Sequence, residues 1–303
     1  MLRTVTGDIE SGAGGFLGHE HLQIDLRAYK GDKAILGETN VQEIIDDLRY
    51  GKAQHGLAGV VDATVEGAGR RPETLRRISE ETKISVLAAT GYRWELYTQA
   101  TRNLSVGQIC AKMVGEITSG CGKYAIPCGV IKVGTGAGSL GQLDERMFRG
   151  AALASRDTGA PIITHTTTED QIMWQLEILE GAGADLSRVL IGHFDKYESA
   201  FELAREVGHR GAFVGIDQIG FTTKKPDDKR AELVVDLCEA GLERQIILSS
   251  DVSMAGKLRA NGGGGYSIVF EQFLPLCRNL GLNEECLLGI TCDNPRRLLD
   301  ICV

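Results

Sequence analysis

Proline is scarce. Six occur among 303 residues, and no Pro-rich or Ser-rich stretch divides the chain. GGGG at 262–265 is the one low-complexity tract. A chain of this length without a linker is expected to fold as one domain spanning 1–303. No apolar run approaches the ~20 residues that a membrane helix needs, so no membrane partner is expected. The opening MLRTVTGDIE lacks the apolar core of a signal peptide. Basic residues are outnumbered 33 to 41, for a net charge of −8. That balance argues against nucleic acid as a partner, and it leaves the sign of charge inside a pocket open. CxxC pairs are also missing. The eight cysteines, at 110, 121, 128, 238, 277, 286, 292 and 302, lie mostly in apolar surroundings. Without an export signal they are expected to be reduced thiols of a cytoplasmic protein.

What the sequence does have is alternation. Short apolar, β-branched runs cover 15–25, 59–65, 84–91, 125–135, 161–166, 189–195, 211–218 and 245–251. Each is followed by a segment with helical spacing: 41–56, 71–83, 106–120, 144–159, 169–183, 199–208, 228–241 and 266–281. Gly56, Gly159, Gly208, Gly241 and Gly281 stand where a left-handed cap would end a helix. The runs are apolar on both faces, as parallel strands covered by helices are. Eight such units predict an α/β fold, a closed (β/α)8 barrel, with an open doubly wound sheet as the alternative. The tail at 283–301 reads as a short helix, a turn at Asn294-Pro295 and a last helix.

Four of the six histidines fall at the C-terminal ends of these runs, the face where barrel active sites sit. His19 and His21 form HxH, and the strand period of two puts both on one face. Neutral imidazole is the commonest metal ligand, and two imidazoles side by side in a core are costly unless they share something. His165 in IITHT and His193 in LIGHFD end the fifth and sixth runs. Each alone would read as a hydrogen-bonded core histidine; four at one barrel mouth favour a metal. Asp251 ends ILSSD, where a buried carboxylate needs a cation or caps the next turn. Lys132 sits mid-strand in GVIKVGT. Burial disfavours its charge, and a neutral amine is nucleophilic enough to add carbon dioxide, giving a carbamate able to bridge two metals. The competing reading pairs Lys132 with an Asp or Glu across the barrel. His55 and His209 read as cations at helix C-termini.

Read in order, RTVTGDI, GFLGHEHL, GVVDAT, AATG, GVIKVGT, ITHT, IGHFD, SSD and GITCDNPRRLL span essentially the whole chain. With these motifs the chain resembles the phosphotriesterase family of the amidohydrolase superfamily. The resemblance implies a (β/α)8 barrel with two divalent ions. One would take His19, His21 and Asp251, the other His165 and His193, with a carbamylated Lys132 and a hydroxide between them. All six ligand positions are filled. Zinc suits such a site, and manganese or cobalt are tolerated. Asp251 would carry the proton to the leaving group, so Asp251 and Lys132 are the expected catalytic residues. The resemblance also implies a homodimer.

The substrate positions depart from the family pattern. Arg93, one place beyond Tyr92, replaces an aromatic of related lactonases and triesterases. Gln218 replaces a histidine of the phosphotriesterases proper, and it lies beside Asp217 at the expected pocket. Met254 and Lys257 stand where phosphorylated-sugar lactonases carry Arg and Tyr. Lys224, Lys225, Lys257 and Arg259 follow the seventh and eighth strands, whose loops often bind phosphate in barrels. Gly262 to Gly265 could present amides to an anion. The expected activity is therefore hydrolysis of a small anionic lactone. The alternatives are an N-acyl amide or phosphoester hydrolase at the same site and, more remotely, a non-catalytic small-molecule binding protein.

Overall fold

The computed structural model describes residues 1–10, 12–31, 34–93, 98–138, 140–223 and 225–301. Eight strands form one parallel sheet: β1 (Gly15–Glu20), β2 (Leu57–Asp62), β3 (Ser85–Gly91), β4 (Val130–Gly134), β5 (Ile162–His165), β6 (Val189–Ile191), β7 (Phe213–Ile216) and β8 (Ile246–Leu248). They pair in sequence order from β1 to β8, as the (β/α)8 expectation requires. Between them run helices Val41–His55, Pro72–Thr82, Val106–Thr118, Gln142–Thr158, Gln171–Gly181, Ala200–His209 and Asp227–Glu239. His55 and His209 each end a helix, as read from the sequence. Among the described residues no helix is long and apolar enough to cross a membrane.

Local chemistry explains the boundaries. Ser105 opens its helix with a capping box: its hydroxyl accepts from Gln108 N–H, and the Gln108 side chain accepts from Ser105 N–H. Gly56 and Gly159 close their helices in the left-handed conformation. Gly208 does not; it lies inside Ala200–His209, and the chain turns beyond it at Gly211. β4 starts at Val130 rather than at 125, because Cys121 and Ile126 pair across a turn first. The tail also differs from expectation. Instead of a turn at Asn294-Pro295, a π-helical stretch (Gly289–Asp293) joins Glu284–Leu288 to Asn294–Leu299. Proline has no N–H and crowds the carbonyl four residues back, and the wider π turn just before Pro295 relieves both problems. The same device precedes Pro275, at Val269–Phe273.

The strand period sorts each barrel residue. Phe16, Val61, Leu87, Val130, Ile163, Leu190, Phe213 and Ile247 form an inner cluster, closed by Leu2, Leu298 and Leu299. Two residues further along, the same inward stripe turns polar: Val130 leads to Lys132, Ile163 to His165, and Ile247 to Ser249. The fold therefore makes a dry floor with a reactive mouth above it. β1 breaks the alternation. Its pairing with β2 shifts register between Leu17 and Glu20. That irregularity re-aims His19, which strict alternation from inward Phe16 would have turned outward.

The β8–β1 seam is closed by side chains among the described residues. His19 N–H donates to Ser249 Oγ at 3.0 Å, and Glu20 reaches across to Ser249, Ser250 and Val252. Beyond the C-terminal ends of β6 and β7, Arg230 and Asp195 form an ion pair with neither side chain exposed. Arg230 also bonds Asp227 and the carbonyls of Lys225 and Phe221, which pins the loop after β7. Arg230→Met strands a buried carboxylate and should lower stability by about 3–5 kcal/mol, read as a lower midpoint in denaturant. An unchanged midpoint would contradict this.

Candidate metal centre

Three of the four imidazoles are oriented by a partner behind them. His19 Nδ1 and His193 Nδ1 both lie 2.7 Å from Asp217, one on each carboxylate oxygen. His21 Nδ1 lies 2.7 Å from Thr64 Oγ1. The Thr64 hydroxyl itself donates to Gln23 O, so it accepts from His21 Nδ1–H. All three rings thus carry the proton on Nδ1 and turn the bare Nε2 into the barrel mouth. His193 Nε2 faces His165 Nδ1 at 2.8 Å, His19 Nε2 faces Lys132 Nζ at 2.8 Å, and His21 Nε2 faces Asp251 Oδ1 at 3.4 Å. Lys132 also donates to Thr164 O at 2.9 Å. The six residues expected as ligands are therefore brought together, from β1, β4, β5 and the segments following β1, β6 and β8.

Electrostatics agrees with neutral rings. Burial lowers the His19 pKa to about 3, with Lys132 adding to the effect. Burial likewise holds His165 well below the usual imidazole range. Burial alone would raise Asp217, but the two imidazoles at its oxygens hold it well below the carboxylate range. Burial lowers Lys132 to about 7, leaving much of the amine neutral at physiological pH. Lys132 has no carboxylate partner in direct contact among the described residues; its polar neighbours are His19 and Thr164.

This donor set fits divalent metal. Bare ring nitrogens aimed at one another and at a carboxylate repel unless a cation lies between them. The 3.4 Å separation of His21 and Asp251 matches the ligand–ligand edge of a tetrahedral site, about 3.3 Å. His19, His21 and Asp251 form one group able to hold an ion; His19, His193 and Asp217 form another by proximity. We read that second group as hydrogen bonding, because 2.7 Å leaves no room for an ion between Nδ1 and the carboxylate. Gly192 and Gly215 make the space for this carboxylate. A Cβ at Gly215 would lie 2.9 Å from Asp217 Oδ2, and one at Gly192 would lie 3.1 Å from it.

A cavity of about 840 Å³ opens over the centre, lined by His21, His165 and Asp251. Arg93 and Gln218, both expected at the substrate, line it too. Tyr92 lines a small void together with Arg93, Lys132 and His165, with the Lys112 ammonium over its ring. Most of the other expected substrate residues lie elsewhere. Asp217 is fully buried and orients His19 and His193 instead of lining the cavity. Lys225 donates to Tyr197 O. Lys257 lies over the Phe221 ring and donates to the carbonyls of Ser250 and Asp251. Arg259 pairs with Glu271 and stacks on Tyr50. Gly262 and Gly263 N–H groups bond Arg259 O and Leu258 O, so they are spent inside the loop. Lys224 lies outside the described residues. Sequence reasoning missed Lys196, Tyr197, Phe221 and the apolar wall of Ile24, Leu26 and Ala34. Lys196, three residues past His193, was the one with a usable signal: it directly follows the IGHFD motif.

Comparison with known proteins covers the same ground. The Phosphotriesterase family profile matches residues 1–299. The phosphotriesterase homology protein of Escherichia coli is 32% identical over 283 residues, covering 92% of this chain and 95% of that protein. Human N-acetyltaurine hydrolase is 28% identical over 288 residues, covering 91% of this chain and 82% of that protein. The crystal structure of a mutant PTE-like lactonase from Deinococcus radiodurans superposes with a TM-score of 0.87 at 29% identity, covering 99% of this chain and 100% of that one. A barrel closed over four histidines, a buried lysine and an aspartate, matched along nearly its full length, makes this chain a member of the phosphotriesterase family of hydrolases.

Proposed function

We propose that the protein is a binuclear metal-dependent hydrolase of a small anionic carboxylic ester, with a lactone as the leading substrate. The observation that carries this is a mouth of four histidines, Lys132 and Asp251 opening into a cavity that also holds Arg93 and Lys196. His19, His21 and Asp251 would hold one ion, His165 and His193 the other, and a carbamylated Lys132 would bridge them. Zinc fits this imidazole-rich set, and manganese or cobalt are compatible. Two such ions, when bound, would supply a hydroxide nucleophile near neutral pH and a Lewis acid for the substrate carbonyl.

The chain's own groups do the rest. Asp251, on the cavity wall, takes the proton of the nucleophile and returns it to the leaving oxygen. Arg93 offers positive charge to an anionic substituent, and Lys196, whose amine also donates to Thr166 O, adds charge at the same cavity, while Ile24, Leu26, Phe221 and Met254 cover the apolar part. A second reading is an N-acyl amide, favoured by the N-acetyltaurine hydrolases among the relatives. A sulfonate or carboxylate on such a compound would meet the same two cations.

The test is a hydrolysis screen of neutral and anionic lactones, N-acyl amino acids and a phosphotriester on zinc- and manganese-loaded protein. Fast turnover of an anionic lactone supports the proposal. Turnover of an amide alone moves it to the second reading, and none at all favours a binding role. For the anionic substrate, Arg93→Ala should raise KM by about 10- to 100-fold, the worth of a charge-assisted bond, and spare kcat. Equal effects on neutral and anionic substrates would remove Arg93 as the anion contact.

A further inference from the structure

Among the described residues, four other than glycine have positive φ: Lys83, Ala125, His193 and Asp251. Lys83 ends a helix and Ala125 sits in a turn. The other two carry groups of the metal centre, with φ of 64° at His193 and 46° at Asp251. A side-chain-bearing residue stays in this conformation only where its surroundings impose it. At His193 the holder is Asp217, whose Oδ1 accepts both the backbone N–H, at 3.0 Å, and Nδ1–H. At Asp251 a second buried carboxylate does the holding.

Resting on the binuclear reading above, we propose that Glu20 is a positioning residue for Asp251, its carboxylate fixing the left-handed backbone from which Asp251 reaches the ion site. Glu20 is wholly buried on β1 between His19 and His21. Its Oε1 accepts from Ser250 N–H at 2.6 Å, Ser250 Oγ at 2.8 Å and Ser249 Oγ at 3.0 Å. Its Oε2 accepts from Val252 N–H at 2.8 Å. The two oxygens of one carboxylate thus bind the N–H before Asp251 and the N–H after it. From the other side, Lys257 Nζ binds the carbonyls of Ser250 and Asp251, at 2.9 and 3.1 Å. Every polar backbone group of Ser250, and the carbonyl of Asp251, is therefore held by a side chain. A carboxamide cannot replace Glu20. It has one acceptor oxygen, and its NH2 would meet the second N–H donor to donor. The end of β1, which sets His19 and the following His21, therefore also sets the direction of Asp251.

The test is Glu20→Gln, with each ion's affinity measured by chelator competition and kcat and KM measured on the loaded enzyme. One of the two ions should bind about 10- to 100-fold more weakly, with the other unchanged. kcat should fall while KM holds. A role in stability alone would lower the melting temperature and leave ion affinity and kcat of the folded variant at wild-type values; that result overturns the proposal. If Glu20→Gln does not fold, Ser250→Ala removes one donor to Oε1 and keeps both backbone donors. It should weaken the same ion several-fold, and wild-type affinity there also overturns the proposal. Wild-type protein that binds fewer than two ions would instead defeat the binuclear reading, and this inference with it.

Discussion

Asp251→Asn should keep both ions and lose about 10²- to 10⁴-fold in kcat, the usual worth of a positioned acid–base group. Asparagine preserves the shape and one ligating oxygen, so the His21–Asp251 edge of the site survives. What it cannot do is accept a proton. An ionised Asp251 with the bare His21 Nε2 3.4 Å away calls for a cation between them, and that same ionised form is what a proton acceptor requires. Metal analysis alongside steady-state kinetics separates the two effects. Undiminished turnover with two ions bound would rule out Asp251 as the proton carrier.

Lys132→Ala is expected to cost at least about 10²-fold in turnover and to lose the joint hold on the two ions. Lys132 is 4% exposed, and its amine reaches His19 and the β5 backbone at Thr164. On the carbamate reading proposed above, Lys132 would offer the two ions an anionic oxygen, which alanine cannot. Zinc reconstitution of the wild type should therefore run faster with added bicarbonate, and reconstitution of the variant should be indifferent to it. A variant that binds two ions and turns over normally would show that Lys132 is only a buried spacer.

Most of the architecture was legible because it rests on local patterns. Periods of two and 3.6 residues mark strands and helices, and strand ends locate the mouth, so the four histidines could be set near it, while the family resemblance rather than spacing chose between the readings of Lys132 and Asp251. The loop cations could not. Lys225, Lys257 and Arg259 are basic residues on the expected loops, yet each finds a carbonyl, a ring or a carboxylate on its own side of the molecule. Composition fixes their charge, whereas long flexible stems decide where it goes. Asp217 was legible as a residue near the site but not as the support of His19, 198 positions away, because that hydrogen bond exists only once the barrel has closed. The π turns before Pro275 and Pro295 were hidden for a related reason: proline signals a break, and a bulge is a break that keeps the helix running.

The side-chain seam between β8 and β1 has a consequence for biosynthesis. The first two ligands leave the ribosome early, and Asp251 emerges some 230 residues later, the separation at which Glu20 meets Ser250. Contacts that distant form late, after the loop between them has lost its freedom. A growing chain can assemble the His165–His193 pair before its last strand exists, yet it cannot build the His19–His21–Asp251 corner. On the binuclear reading, the full metal complement can therefore be gathered only once the ring has closed. A truncation before β8 should leave a protein that can gather part of its metal and never the working pair.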